Sequence, residues 1–181
     1  MANGFVTSSP GARHGDTVQA VDQYDEYAQK FVCPGSGSVS ISEIGAWVQR
    51  NAVETAYLAM CIYTHDAVND CPEALVTNGA SGAKTISSSG LLKISHTFAT
   101  QPVLTGGNTY WLILKLNNGT PPSFDLFATG GTTAQRASTS PPFGTGDVWH
   151  THTDQTYDMG IYAVYPAAGD ISISVSENIV F

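Results

Sequence analysis

Apolar side chains along this chain recur at every second position, in short stretches separated by glycine-rich turns. That period is the strand period, because successive side chains of an extended backbone point to opposite faces. In VSISEIGAWVQ (39–49), Val39, Ile41, Gly45 and Trp47 share one face, with a polar interruption at Glu43. AYLAMCIYT (56–64) sets Leu58, Met60 and Ile62 against Tyr57, Ala59, Cys61 and Tyr63. GLLKISHTF (90–98) sets Leu92, Ile94 and His96 against Leu91, Lys93 and Ser95. TYWLILKL (109–116) is apolar on both faces, which predicts a central strand covered on both sides. MGIYAVY (159–165) and ISISVSENIVF (171–181) alternate in the same way.

The breakers between these stretches include Pro34-Gly35-Ser36-Gly37, Asn78-Gly79, Thr105-Gly106-Gly107-Asn108 and Asn117-Asn118-Gly119. Each supplies the positive φ or local side-chain bond of a tight turn. With no amphipathic helical period, about eight to ten short strands predict an all-β fold, a jelly-roll-type antiparallel β-sandwich. Residues 1–28 lack a sustained apolar period and carry Asp16, Asp22, Asp25 and Glu26. They read as an irregular, extended N-terminal arm, either loose or ordered on a neighbouring subunit. Residues 29–181 read as one sandwich domain. Within it, 117–158 is the least regular region and the expected place of a recognition surface.

Composition narrows the function. Charged residues are 12% of the 181, about half of the roughly 25% usual for soluble domains. Seven Lys+Arg against fifteen Asp+Glu give a formal net charge of −8. No basic footprint exists to neutralise phosphates, which excludes nucleic acid as a partner. No run approaches the ~18 apolar residues of a membrane helix. MANGFVTSSPGARHGDTVQA lacks the basic-then-apolar build of a signal peptide, so synthesis in a cytoplasm is expected. The three cysteines leave at least one thiol without a partner in the chain, and packed thiols are the default expectation. A Cys61–Cys71 bridge is the alternative, available if the strand folds straight back.

Three constellations carry candidate chemistry. His150 and His152 share a face on a strand, near Asp147, Asp154 and Asp158, a spacing that zinc accepts. Phe143, Trp149 and Tyr157, with His150 and His152, form a candidate glycan-binding set: aromatic planes stack on sugar rings while polar neighbours take hydroxyls. The plain alternative is that these aromatics close the end of the sandwich. Asp66, Asn69 and Asp70 offer oxygens to a hard cation such as calcium, without the EF-hand spacing. Trp47 and Trp111 are expected in the core. No nucleophile motif or singled-out carboxylate pair supports catalysis, so a non-enzymatic protein without a resident cofactor is expected.

Ile44-Gly45-Ala46-Trp47, Ile62-Tyr63, the acidic turn Asp66 to Asp70, Pro72, Leu75-Val76, Phe98 to Val103 and Gly106-Gly107 into Thr109-Tyr110-Trp111-Leu112 form a pattern. Over residues 30–116 it resembles jelly-roll, carbohydrate-binding-like accessory modules of bacterial surface proteins and phage structural proteins. These motifs are structural, so the resemblance implies a fold and carries over no catalytic residue. It implies a virion component of capsid-decoration or tail-appendage type, partnered by copies of itself and other virion proteins. The alternative is an extracellular, glycan-binding module.

Overall fold

A computed structural model describes residues 3–6, 17–20, 26–50, 56–86, 90–117, 124–138 and 153–165. In chain order the strands are β1 (Asn3–Val6), β2 (Thr17–Ala20), β3 (Glu26–Val32), β4 (Gly37–Ser40), β5 (Glu43–Arg50), β6 (Ala56–Asp66) and β7 (Cys71–Ala80). Then follow β8 (Lys84–Ile86), β9 (Gly90–Thr97), β10 (Val103–Gly106), β11 (Thr109–Asn117), β12 (Phe124–Ser138), β13 (Thr153–Met159) and β14 (Ile161–Tyr165). No helix occurs among the described residues, and the strand pairs are antiparallel.

Twelve strands share one hydrogen-bonded network in the order β1-β14-β5-β12-β3-β11-β6-β7, with β2, β8, β9 and β13 branching from it. β4 and β10 form a separate ribbon. β12 joins the two halves of the network. Its start, Phe124–Leu126, pairs with β5, and its end, Gln135–Ser138, pairs with β3. Its register against β13 slips between Gly130 and Gln135. Gly130-Gly131 sits at that slip, where a backbone without Cβ atoms bends readily.

Between the halves lies one core. Tyr27, Phe31, Leu58, Met60, Ile62, Leu112 and Leu114 from β3, β6 and β11 meet Ile44, Ala46, Val48, Ile161 and Ala163 from β5 and β14. Leu92 and Ile94 of β9 pack at its margin. His96 follows on the same face, edge-on to Phe98 with ring centres 4.9 Å apart. Burial, then the charge of Lys84, lowers its pKa. This all-β antiparallel arrangement is consistent with the sandwich that the alternation predicts.

β11 lies between β3 and β6 and is covered on both faces, as its apolar run predicts. Leu112 and Leu114 enter the main core, while Trp111 and Ile113 join a second cluster with Ala28, Cys61, Tyr63 and Cys71. Register explains the second layer. Lys30, Trp111 and Tyr63 align across three strands, as do Ala28, Ile113 and Cys61, and then Glu26, Lys115 and Ala59. The last row buries a charge pair: Lys115 Nζ lies 2.9 Å from Glu26 Oε1, with both side chains almost wholly covered. The ammonium also lies 5.2 Å from the Tyr63 ring centre.

Four expectations change. The predicted boundary at residue 28 falls inside β3, whose first residues, Glu26 to Ala28, are buried. Asn3–Val6 and Thr17–Ala20, expected in an irregular arm, pair with β14 and β12 of the same chain. Residues 39–49 form two strands rather than one. Ser42 separates them: its N–H and Oγ both donate to Val164 O, at 2.8 and 3.1 Å. The alternation therefore changes phase, Ile41 and Ile44 are both fully buried, and Trp47 faces outward and is only half-buried. The region 117–158, expected to be irregular, contains β12 and β13.

Lys115→Met alone should cost about 3–5 kcal/mol in urea denaturation, because it strands a buried carboxylate. Adding Glu26→Leu should recover most of that loss. Equal losses in the single and double variants would assign the cost to packing rather than charge.

Candidate functional site

Polar chemistry gathers in two places on the outer faces of the sheet. The first is the β6–β7 turn, in the stretch CIYTHDAVNDC (61–71). Asp66 closes this turn from within. Its Oδ1 accepts from the Val68 and Asn69 amides at 2.8 and 3.2 Å, and its Oδ2 accepts from Asn69 Nδ2 at 2.6 Å. Asp70 takes a left-handed φ of 51°, a conformation that Asp tolerates. Its Oδ1 lies 2.6 Å from Lys30 Nζ on β3 and 3.7 Å from His65 Nε2. The buried Trp111 indole donates through Nε1 to His65 Nδ1 at 3.1 Å, and Lys30 Nζ lies 5.7 Å from its ring centre.

Of the candidate calcium ligands, Asp66 and Asn69 are therefore brought together, bonded to each other, while Asp70 is engaged by Lys30. Among the described residues, no three His, Cys, Asp or Glu side chains form a set arranged to hold a metal. Cys33, Cys61 and Cys71 are all buried thiols rather than disulfide partners. Cys61 and Cys71 both pack under Trp111, so the strand does bring them into one cluster. Burial raises the pKa of Cys33, which suppresses its thiolate.

The second place is the outer face of β5, β9 and β14. Register aligns Tyr162, Gly45 and Ser95 in one row, with Trp47 and Lys93 in the next. Gly45 is what lets the Tyr162 ring lie flat on the sheet: an added Cβ would come within 2.3–2.4 Å of ring atoms. Tyr162 Oη donates to Glu43 Oε1. Burial first, then the Glu43 bond and charge, hold the phenol protonated by raising its pKa, while a Ser95 bond opposes them. Trp47 packs against Tyr162 with ring centres 4.9 Å apart. Lys93 Nζ lies 4.9 Å from the Tyr162 ring centre and 5.6 Å from that of Trp47. The result is a half-buried Trp47 ring packed on the buried Tyr162, edged by an ammonium, a carboxylate and the exposed Ser95 and Thr97.

Reading the sequence alone misses this platform by assigning Trp47 to the core. Glu43 was the available signal: a charged residue in phase with Gly45 and Trp47 marks their face as the outer one. Of the glycan-binding set, Tyr157 lies on β13 opposite Gly130. Phe143, Trp149, His150 and His152 lie outside the described residues. Of the carboxylates near the two histidines, Asp154 and Asp158 lie on β13 opposite Arg136 and Thr129, and Asp147 lies outside the described residues. No protein-family model matches this chain, and no curated protein matches it in sequence.

Proposed function

We propose that the chain is a non-enzymatic structural subunit of a larger particle, a virion protein of capsid-decoration or tail-appendage type. The observation that carries this reading is β1, a short N-terminal strand laid along the edge of the sheet by backbone pairing with β14. A strand added at an edge fastens a domain through main-chain hydrogen bonds, which is how many proteins join partners. The surface chemistry fits the same reading. Lys115 is turned to a buried ion pair and Lys30 to a partly exposed one, while Val32, Val68 and Val103 are more than half exposed. The resemblance of residues 30–116 to jelly-roll modules of phage structural proteins points the same way. Its partners would be copies of itself and other virion proteins, and its place the virion assembled in the host cytoplasm.

A second reading, glycan binding on an extracellular surface, is favoured by the platform of Trp47 and Tyr162. Trp47 would stack on a sugar ring, with Lys93, Glu43 and Ser95 meeting its polar groups. Phe143, Trp149, His150, His152 and Tyr157 remain the competing glycan set, and Asp66, Asn69 and Asp70 the proposed cation ligands.

Light scattering on the eluted protein should report a defined oligomer, and removal of residues 1–25 should dissociate it while the far-ultraviolet dichroism stays β-type. A monomer that co-sediments with no particle would refute the subunit reading. On a glycan array, Trp47→Ala should lower any binding at least tenfold and Trp149→Ala leave it unchanged. The reverse pattern would move the site to residues 143–157, and an array without hits would remove the second reading.

A further inference from the structure

We propose that Asn78-Gly79 on β7 is a self-modification site, where the Asn78 carboxamide is lost through a cyclic imide and an isoaspartyl link replaces the normal backbone. The inference goes beyond the subunit reading and is independent of it.

Local geometry singles out this pair. Asn78 lies in the left-handed region, with φ of 62°, and is exposed. Gly79 beside it is buried and has no room for a side chain: an added Cβ would lie 2.9 Å from Val76 O and 3.2 Å from Ile62 O. The pair also sits in a bulge. Leu75 is in register with Tyr63 and Ala80 with Cys61, so residues 76–79 stand opposite Ile62 alone.

The fold therefore asks for this dipeptide, because a left-handed φ favours Asn or Gly and close backbone approach requires Gly. The chemistry follows from the same two residues. Gly79, lacking a Cβ, presents an unhindered amide nitrogen directly after a carboxamide. Out of ladder register, the backbone at Asn78 is free of the pairing that would hold its side chain away from that nitrogen.

The Gly79 nitrogen attacks Asn78 Cγ, and the new C–N bond closes a five-membered imide. Asn78 Nδ2 departs as ammonia, taking up the proton of the Gly79 amide. Water then opens the ring. Cleavage at Cγ leaves an aspartate, whereas cleavage at the main-chain carbonyl leaves an isoaspartate whose chain continues through Cγ. One water is consumed, one ammonia is released and one negative charge is added. The isoaspartyl link lengthens the backbone by one carbon where Gly79 is wedged between Val76 and Ile62. That loosens the end of β7, where Ala80 pairs with Cys61 and the Met60 N–H donates to Ser81 Oγ at 2.9 Å.

The chain carries its own contrast. Asn3-Gly4 is the same dipeptide, yet it runs in unbroken register against Tyr165 and Val164. A paired strand restrains the rotation that ring closure needs, so the fold separates two chemically identical sites.

Peptide mapping by mass spectrometry tests this on the intact native protein, aged at neutral pH in heavy-oxygen water. Asn78 should convert at least tenfold faster than Asn3, with isoaspartate exceeding aspartate and one heavy oxygen taken up per product. In urea, where the fold's influence is removed, the two sites should convert at similar rates. Native Asn78 converting no faster than Asn3 would overturn the proposal, since the fold would then shield the site. A tenfold contrast that persists in urea would assign it to neighbouring sequence and overturn the role of the bulge. Aspartate formed without isoaspartate would overturn the imide route.

Discussion

Covering β11 on both faces is the constraint on which the rest of the structure depends. A strand buried on one side needs only alternation, but TYWLILKL has no wet face, so each half of its side chains requires a layer of its own. One layer is the main core shared with β5 and β14. On the other face Trp111, Ile113 and Lys115 are buried in three rows, flanked by residues of β3 and β6 in the same sheet. Lys115 could not occupy such a place alone. Its charge is met by Glu26 directly across the strand pair, and breaking that partnership costs far more than the pair contributes.

From that layer the β6–β7 turn takes its position. Trp111 holds His65 through the indole N–H, and Lys30 holds Asp70, so the turn is fastened to β11 and β3 at once. The same logic works at the other half of the molecule with different chemistry. Gly45 leaves room for Tyr162, Tyr162 bonds Glu43, and Trp47 and Lys93 stack above. One outer face is thus closed by buried charge, and the other presents the half-buried Trp47 ring to the solvent. Only the second has the build of a binding platform.

Much of this was legible in the chain. The apolar run of β11, the two-sided alternation of Leu58, Met60 and Ile62 against Cys61 and Tyr63, and the turn after His65 all fall where periodicity and turn chemistry place them. What periodicity does not carry is a change of phase. Ser42 reverses the alternation through bonds to Val164, a residue far along the chain, and so sends Trp47 outward. Pairing across long separations is hidden for the same reason. Glu26 reads as part of a polar arm until Lys115 is seen opposite it. The aromatic and histidine residues between 143 and 152 were singled out by composition, a signal that names residue types without placing them.

The central claim, that β11 is buried on both faces, is tested most directly by amide hydrogen exchange on the native protein. The account predicts that Tyr110 to Lys115 exchange only through global unfolding, at the full unfolding free energy, and far more slowly than Gly90 to Thr97 of β9, which pairs only with β5 among the described strands. Exchange of β11 as fast as that of β9 would contradict it.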